Sequence, residues 1–164
     1  ISNSTNRAFY SDLAMGREGV ASANVIPRAN GRGTVTVVVA PPEGTAPESL
    51  LEDLRAEYGR RKEVNVDVTV LAAQPRSQAV SLTVDPAEGH AYEAVAADVE
   101  RAVTAHLAAL AVGQPLYLAR LGGAILAVDG VRNYRITTPA GDVAPAGTQI
   151  LVPGTVTVTR MITG

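Results

Sequence analysis

Short stretches in the first half of the chain alternate hydrophobic residues with Thr and other polar residues, which is the two-residue period of a strand with one covered face. Three such stretches, at residues 20–28, 34–40 and 66–73, predict strands. The turn-forming residues 30–33, Asn-Gly-Arg-Gly, lie between the first two and predict a hairpin. The first half therefore supplies three predicted strands.

Apolar residues at helical spacing predict two helices in the same half. In the first helix Phe9 and Leu13 stand one turn apart, with Ser4 or Thr5 as the cap and Gly16 as the stop. The second helix starts at a proline in its first turn and ends before a glycine. Its apolar stripe consists of Leu50, Leu51, Leu54 and Tyr58. A strand, a helix and a strand in this order favour a right-handed crossover within one sheet.

A second series of elements follows Pro75. The alternation at residues 78–85 predicts a strand, and the apolar stripe of residues 91–112 predicts a long helix that ends at Gly113. The remaining predictions are a helix at 116–128, a strand at 131–138, a long loop at 140–153 and a closing strand at 155–162.

Together these elements predict an α+β fold of two small mixed sheets with helices packed on one face of each. A ferredoxin-like arrangement is expected in at least the first half. Pro75 predicts the boundary between an N-terminal subdomain, residues 1–74, and a C-terminal subdomain, residues 75–164. Leu54 and Val99 lie on the two helix stripes and are predicted core positions.

The pentapeptide GTVTV occurs at residues 33–37 and again at 154–158. Each copy follows a helix, a Gly-Val pair and an extended segment, which favours two related units in which GTVTV is the returning strand of a hairpin. The alternative is that GTVTV is simply a common strand sequence in a Val-rich protein. Both interpretations stay open at this point.

Composition narrows the classes of function. With 164 residues, 46% of them hydrophobic, the chain is able to bury a core. The formal net charge is −2, Lys62 is the only lysine and aromatic residues make up 4%, so no nucleic-acid partner is expected. The absence of cysteine excludes disulfides and thiolate metal sites. No apolar run approaches the ~20 residues of a membrane span, so no membrane insertion is expected.

No catalytic constellation is visible in the sequence. His90 precedes the long helix near Asp85 and Glu88, but three mixed ligands in a surface turn are a weak metal signal. His106 lies beside an apolar stripe, which favours a packing role over general-base catalysis. We therefore predict no catalytic, cofactor-binding or metal residues, and no cofactor.

One apolar cluster interrupts the predicted loop at residues 140–153. It consists of Ile150, Leu151 and Val152. Such a cluster either packs onto its own sheet or waits for a partner. Our hypothesis is that these three residues form a candidate protein interface.

The order of segments resembles the C-terminal portion of the phage baseplate J-like proteins, found in contractile tails of Mu-like and P2-like phages and in related injection particles. The resemblance runs from about Phe9 to Thr159. Its most specific parts are DVTVLAAQP, the Asp142-Val143 pair and the ending PGTVTVT. These are packing and turn patterns, so no catalytic residue is carried over.

The resemblance implies a structural subunit of the baseplate wedge ring, present in several copies and joined to other wedge and hub proteins. It implies a location in the virion, in the tail baseplate, after assembly in the cytoplasm of the bacterial host. The chain does not begin with Met, and family members generally carry further N-terminal sequence, so we expect this chain to be a portion of a longer protein. The alternative hypothesis is a small α+β enzyme or ligand-binding domain whose site is built from loops.

Overall fold

The computed structural model describes residues 3–61 and 65–162, and the chain divides into two compact units. Unit 1 comprises Ile1–Pro75, Ala111–Gly113 and Pro145–Ile150. Unit 2 comprises Arg76–Leu110, Gln114–Ala144 and Leu151–Gly164. Two short segments from late in the chain thus belong to unit 1, which the sequence did not indicate. The boundary between residues 74 and 75, as a division into two subdomains, stays a prediction.

Unit 1 contains two helices and a three-stranded sheet of order β1-β2-β3. Strand β1 is antiparallel to β2, and β3 is parallel to β2. The predicted strands, helices and hairpin are confirmed, although two helix bounds differ. The first helix includes Ser4 and Thr5 instead of starting after them, and the second begins at Glu48, after the proline, and continues through Gly59 to Arg61. The elements are α1 Asn3–Met15, β1 Ser22–Pro27, β2 Thr34–Ala40, α2 Glu48–Arg61 and β3 Asp67–Ala72.

The central strand β2 is covered on both of its faces. On one face Val37 and Val39 pack with the predicted stripe of α2, including Leu54, whose side chain is 0% exposed. On the other face Val38 and Ala40 pack with Val112 and Ile150, which belong to the segments 111–113 and 145–150. This double coverage explains why β2 is buried without interruption from residue 36 to residue 40.

The second series of elements contains two helices and a sheet of order β5-β4-β6. Pro75 was predicted as a break but lies within β4, near its start, where a strand tolerates the missing N–H. The long helix ends at Ala108 rather than at the predicted residue 112. The elements are β4 Gln74–Pro86, α3 Tyr92–Ala108, α4 Leu118–Leu126, β5 Val131–Thr138 and β6 Gln149–Arg160.

The second sheet is also mixed. Strand β5 is antiparallel to β4. Strand β6 runs in the same direction as β4, because Gly154 lies against Gln78 and the Met161 amide donates to the Val84 carbonyl at 2.9 Å. The α+β class with two small mixed sheets is therefore confirmed, whereas the ferredoxin-like arrangement of the first half stays a prediction.

Helices α3 and α4 cover one face of the second sheet. Val99, in the middle of α3, is 0% exposed, so its predicted core position is confirmed. The same cluster includes Leu82 from β4, Leu121 from α4 and Leu151 from β6. The apolar stripe predicted from sequence therefore faces the sheet, and small or charged residues occupy the outer side of α3.

The two GTVTV copies occupy different positions. The first copy begins at Gly33, whose positive φ of 77° favours glycine, and continues in the central strand β2. The second lies in the edge strand β6, where a Cβ on Gly154 would come within 2.8 Å of the Gln78 carbonyl group. Strands β5 and β6 lie on opposite sides of β4. The prediction that the second copy returns in a hairpin is therefore wrong.

Candidate functional site

The histidines and acidic residues of the turn before α3 do not form a shared site. His90 is exposed, and Asp85 accepts a hydrogen bond from the Arg132 Nε at 2.9 Å. His106 is half-buried in the last turn of α3. Within residues 3–61 and 65–162, no group of three His, Asp or Glu side chains is placed to hold a metal ion. The predicted lack of catalytic and metal residues stays a prediction.

Charged residues of α2 form ion pairs at the surface. Arg17 pairs with Asp53 at 2.9 Å, and Glu57 pairs with Arg60 and Arg61. The hydrogen bond from Arg60 is the main cause of the lowered pKa of the Glu57 carboxyl group. Exposed pairs of this kind contribute little to stability. They form a solvated helix face, with no pair of carboxylates placed for acid–base catalysis.

Tyr58 is a buried ionisable side chain of unit 1, with 1% of its surface exposed. Its hydroxyl donates a hydrogen bond to the Tyr10 carbonyl, and the two rings lie 5.6 Å apart between centroids. Burial raises the pKa of the Tyr58 hydroxyl. The contact holds α1 against α2, so this residue has a structural role.

The raised pKa of Tyr58 predicts a specific loss of stability in alkali. The folded state keeps the proton, whereas the unfolded state releases it near pH 10, so the free energy of unfolding falls as pH rises above about 10. Tyr58→Phe should cost about 1 kcal/mol at neutral pH and make this alkaline loss less steep. Urea denaturation at neutral and alkaline pH measures both effects. Tyr117→Phe, at a side chain 49% exposed, is the control and should leave the slope unchanged.

Residues 145–150 lie against the second face of the unit 1 sheet. The Asn24 side-chain amide donates to the Gly147 carbonyl at 2.9 Å, and the Gln74 backbone N–H donates to the Thr148 carbonyl at 2.9 Å. The Gly113 amide donates to the Gln149 carbonyl at 2.7 Å. Because these bonds satisfy the polar backbone of the segment, the segment is able to cover an apolar sheet face.

The predicted loop at residues 140–153 is wrong at its C-terminal end, because β6 already begins at Gln149. Ile150 is half-buried against the second face of the unit 1 sheet. Leu151 is 1% exposed in the core of unit 2. Val152 is half-buried. The interface role of Ile150, Leu151 and Val152 stays a prediction.

The face of the unit 2 sheet opposite the helices is open and polar. Thr83 on β4 is paired with Arg135 on β5, and the Thr137 hydroxyl donates to the Ser81 carbonyl at 3.1 Å. On β6, exposed threonines alternate with half-buried valines. Hydroxyl and guanidinium groups on a fixed sheet offer directional hydrogen bonds to a partner protein. This open sheet face is the candidate interaction surface of unit 2.

Comparison with known families favours the structural hypothesis. Residues 78–159, half of the chain, match the model of the baseplate J-like protein C-terminal domain. The chain belongs to the baseplate J-like family. The match begins in β4 and ends in β6, so it includes the residues named above on the open sheet face. No curated protein matches the chain.

Membership in the baseplate J-like family confirms the resemblance seen in the sequence over residues 78–159, whereas its extension back to Phe9 stays a prediction. It indicates a structural role in a phage tail baseplate, within the virion, and contacts with other baseplate proteins. It favours a role without catalysis. None of the helices in the described ranges has the length and apolar character that a membrane crossing requires.

Proposed function

We propose that this chain is part of a wedge subunit of the baseplate ring in a contractile phage tail or a prophage-derived injection particle. It acts by contacts with other wedge and hub proteins, in several copies per particle, after assembly in the cytoplasm of the bacterial host. The family match over residues 78–159 carries this proposal.

The construction of unit 2 supports an assembly role. Its helices bury one sheet face in an apolar core, which fixes the strands, while the other face presents Thr, Ser and Arg side chains to solvent. A rigid sheet with directional polar groups suits a contact that must be formed in one orientation. The ion pairs on the α2 face of unit 1 and the exposed His90 add no acid–base pair to this arrangement.

The test is deletion of the gene followed by complementation in the host that produces the particle. We expect the deletion to abolish intact baseplates in negatively stained electron micrographs, and the wild-type gene to restore them. Quantitative mass spectrometry of purified particles should find several copies of the protein for each tail. Normal baseplates in the deletion strain, or absence of the protein from purified tails, would refute the assembly role.

The predicted interface is tested in the same complementation experiment. Val152→Asp changes a half-buried side chain next to the buried Leu151. If Val152 contacts a neighbouring protein, the variant should remain folded by circular dichroism and yet fail to restore baseplates. Normal baseplates from this variant would exclude Val152 as an interface residue without affecting the assembly role.

A further inference from the structure

The outer edge of β6 is the free edge of the unit 2 sheet that borders its open, polar face. The sheet order places β6 at one end, with β4 on its inner side. The Met161 amide donates inward to Val84, so the backbone groups of Thr155, Thr157 and Thr159 also face β4. The groups of Val156, Val158 and Arg160 therefore face outward. The Val158 carbonyl accepts a hydrogen bond from the Tyr92 hydroxyl at 3.2 Å, which agrees with this assignment.

The sequence along this edge is the same in both directions. Residues 155–159 read Thr-Val-Thr-Val-Thr, centred on Thr157. An antiparallel pair of identical strands reverses the direction of the second strand, so a symmetric sequence places like residues opposite each other. We propose that a second copy of this chain pairs with the first along β6, antiparallel, with a twofold axis at Thr157.

The inward and outward positions of β6 agree with this register. The outward-facing Val156 of one copy exchanges both backbone hydrogen bonds with Val158 of the second copy, while Thr157 faces Thr157 in a pair without hydrogen bonds. Thr155 lies opposite Thr159 of the second copy on the exposed face, and Thr–Thr pairs across strands are favourable. Each copy contributes the same groups, so all outward groups from Val156 to Val158 gain partners.

Charge favours this edge over the free edges of β3 and β5. Arg160 lies opposite Gly154 of the second copy, and the two Arg160 residues are about 20 Å apart along the strands, so like charges do not meet. On the free edge of β3, by contrast, a charged group lies at the edge, because the Arg55 guanidinium donates to the Val70 carbonyl at 3.0 Å. Strand β5 carries Arg132 and Arg135. If two copies of β5 paired antiparallel with Arg132 opposite Arg135 of the second copy, like charges would meet.

The Tyr92 side chain leaves the pairing possible. Its hydroxyl uses one lone pair of the Val158 carbonyl oxygen, and a carbonyl oxygen has two. The Arg160 guanidinium lies 5.7 Å from the centroid of the Tyr92 ring on the side of α3, which keeps the charge of this residue away from the axis. This inference goes beyond the assembly role and does not depend on it, because the pairing is a property of the purified chain.

Charge variants on the exposed face test the register. We expect the 164-residue wild-type chain to show a concentration-dependent monomer–dimer equilibrium in sedimentation velocity. Thr155→Lys with Thr159→Lys places Lys opposite Lys twice and should weaken the dimer about tenfold at low salt. Thr155→Lys with Thr159→Glu places Lys opposite Glu twice and should dimerise at least as tightly as the wild type. Both double variants change the same two exposed positions, so each controls for the other.

A mixing experiment and hydrogen exchange give independent readouts. The Lys/Lys variant mixed with a Thr155→Glu, Thr159→Glu variant should form a heterodimer. Amide exchange at Val156 and Val158 should slow as concentration rises, whereas Thr157 and Thr159, which face β4, should be protected at all concentrations. A wild-type chain that stays monomeric up to about 1 mM, or a Lys/Lys variant that dimerises as tightly as the wild type, would overturn the proposal.

Discussion

Leu151→Asp is expected to unfold unit 2. The side chain is 1% exposed and lies in the apolar cluster formed by β4, α3 and α4. Truncation of a buried leucine alone costs ~2 to 5 kcal/mol, and a carboxylate without a partner adds a desolvation cost in the same position. We expect a loss of at least ~4 kcal/mol, which is a large part of the stability of an ordinary domain.

Urea denaturation followed by far-ultraviolet circular dichroism measures this loss. Val152→Asp is the matched control, because it introduces the same carboxylate one position later at a half-buried residue and should cost less. Amide exchange should show faster opening in β4, α3 and β6 of the Leu151 variant. Equal midpoints for Leu151→Asp and the wild type would mean that β6 does not contribute Leu151 to this core.

The expected unfolding changes how an assembly experiment on Leu151 is interpreted. If Leu151→Asp failed to form baseplates, loss of the fold would explain the result without any lost contact to a partner. Val152→Asp and the paired changes at Thr155 and Thr159 avoid this ambiguity, because their side chains are half-buried or exposed. Surface variants therefore separate the interface hypotheses from the stability of unit 2.

Most elements of both sheets were predictable from sequence because their apolar faces pack within their own unit. The apolar stripe on α2 has the period of a helix, and the apolar–polar alternation of β4 has the period of a strand. Each pattern reflects only which side of the element faces the core. Leu54 and Val99 were therefore identified correctly as buried positions.

The start of β6 was not predictable in this way. Pro153 and Gly154 are turn-forming residues, and together with the turn-rich residues before Gln149 they suggested a loop. In the structure Gly154 is needed because a Cβ would meet the backbone of Gln78. Residues 145–150 are held by partners such as Asn24, which is 123 positions away from Gly147 in the chain. Local sequence patterns carry no information about such distant partners.

The two GTVTV copies show why a strand sequence does not determine its place in a sheet. Thr and Val suit any pleated surface with one apolar side, and both copies form strands. The neighbours decide the rest: β2 lies between two strands, whereas β6 has a neighbour on one side only. The same pentapeptide is therefore fully paired in unit 1 and available for pairing in unit 2. The candidate edge contact follows from position in the sheet, which only the structure provides.

Leu54→Ala is expected to cause the second largest loss, this time in unit 1. Leu54 is 0% exposed and packs in the cluster that joins α2 to β2, together with Leu51 and Tyr58. Removal of its branched end leaves a cavity between a helix and a sheet that are both fixed by other contacts, so the site is able to collapse only in part. We expect the free energy of unfolding to fall by ~2 to 5 kcal/mol.

Two controls locate the effect of Leu54→Ala. Leu126→Ala removes the same atoms from a side chain that is 52% exposed on α4, and should change stability by less than ~0.5 kcal/mol. Val99→Ala truncates a fully buried but smaller side chain in unit 2, and should cost less than Leu54→Ala. In hydrogen exchange the Leu54 variant should open faster at the amides of α2 and β2. If Leu54→Ala and Leu126→Ala had equal midpoints in urea denaturation, the apolar stripe of α2 would not be what holds this helix on its sheet.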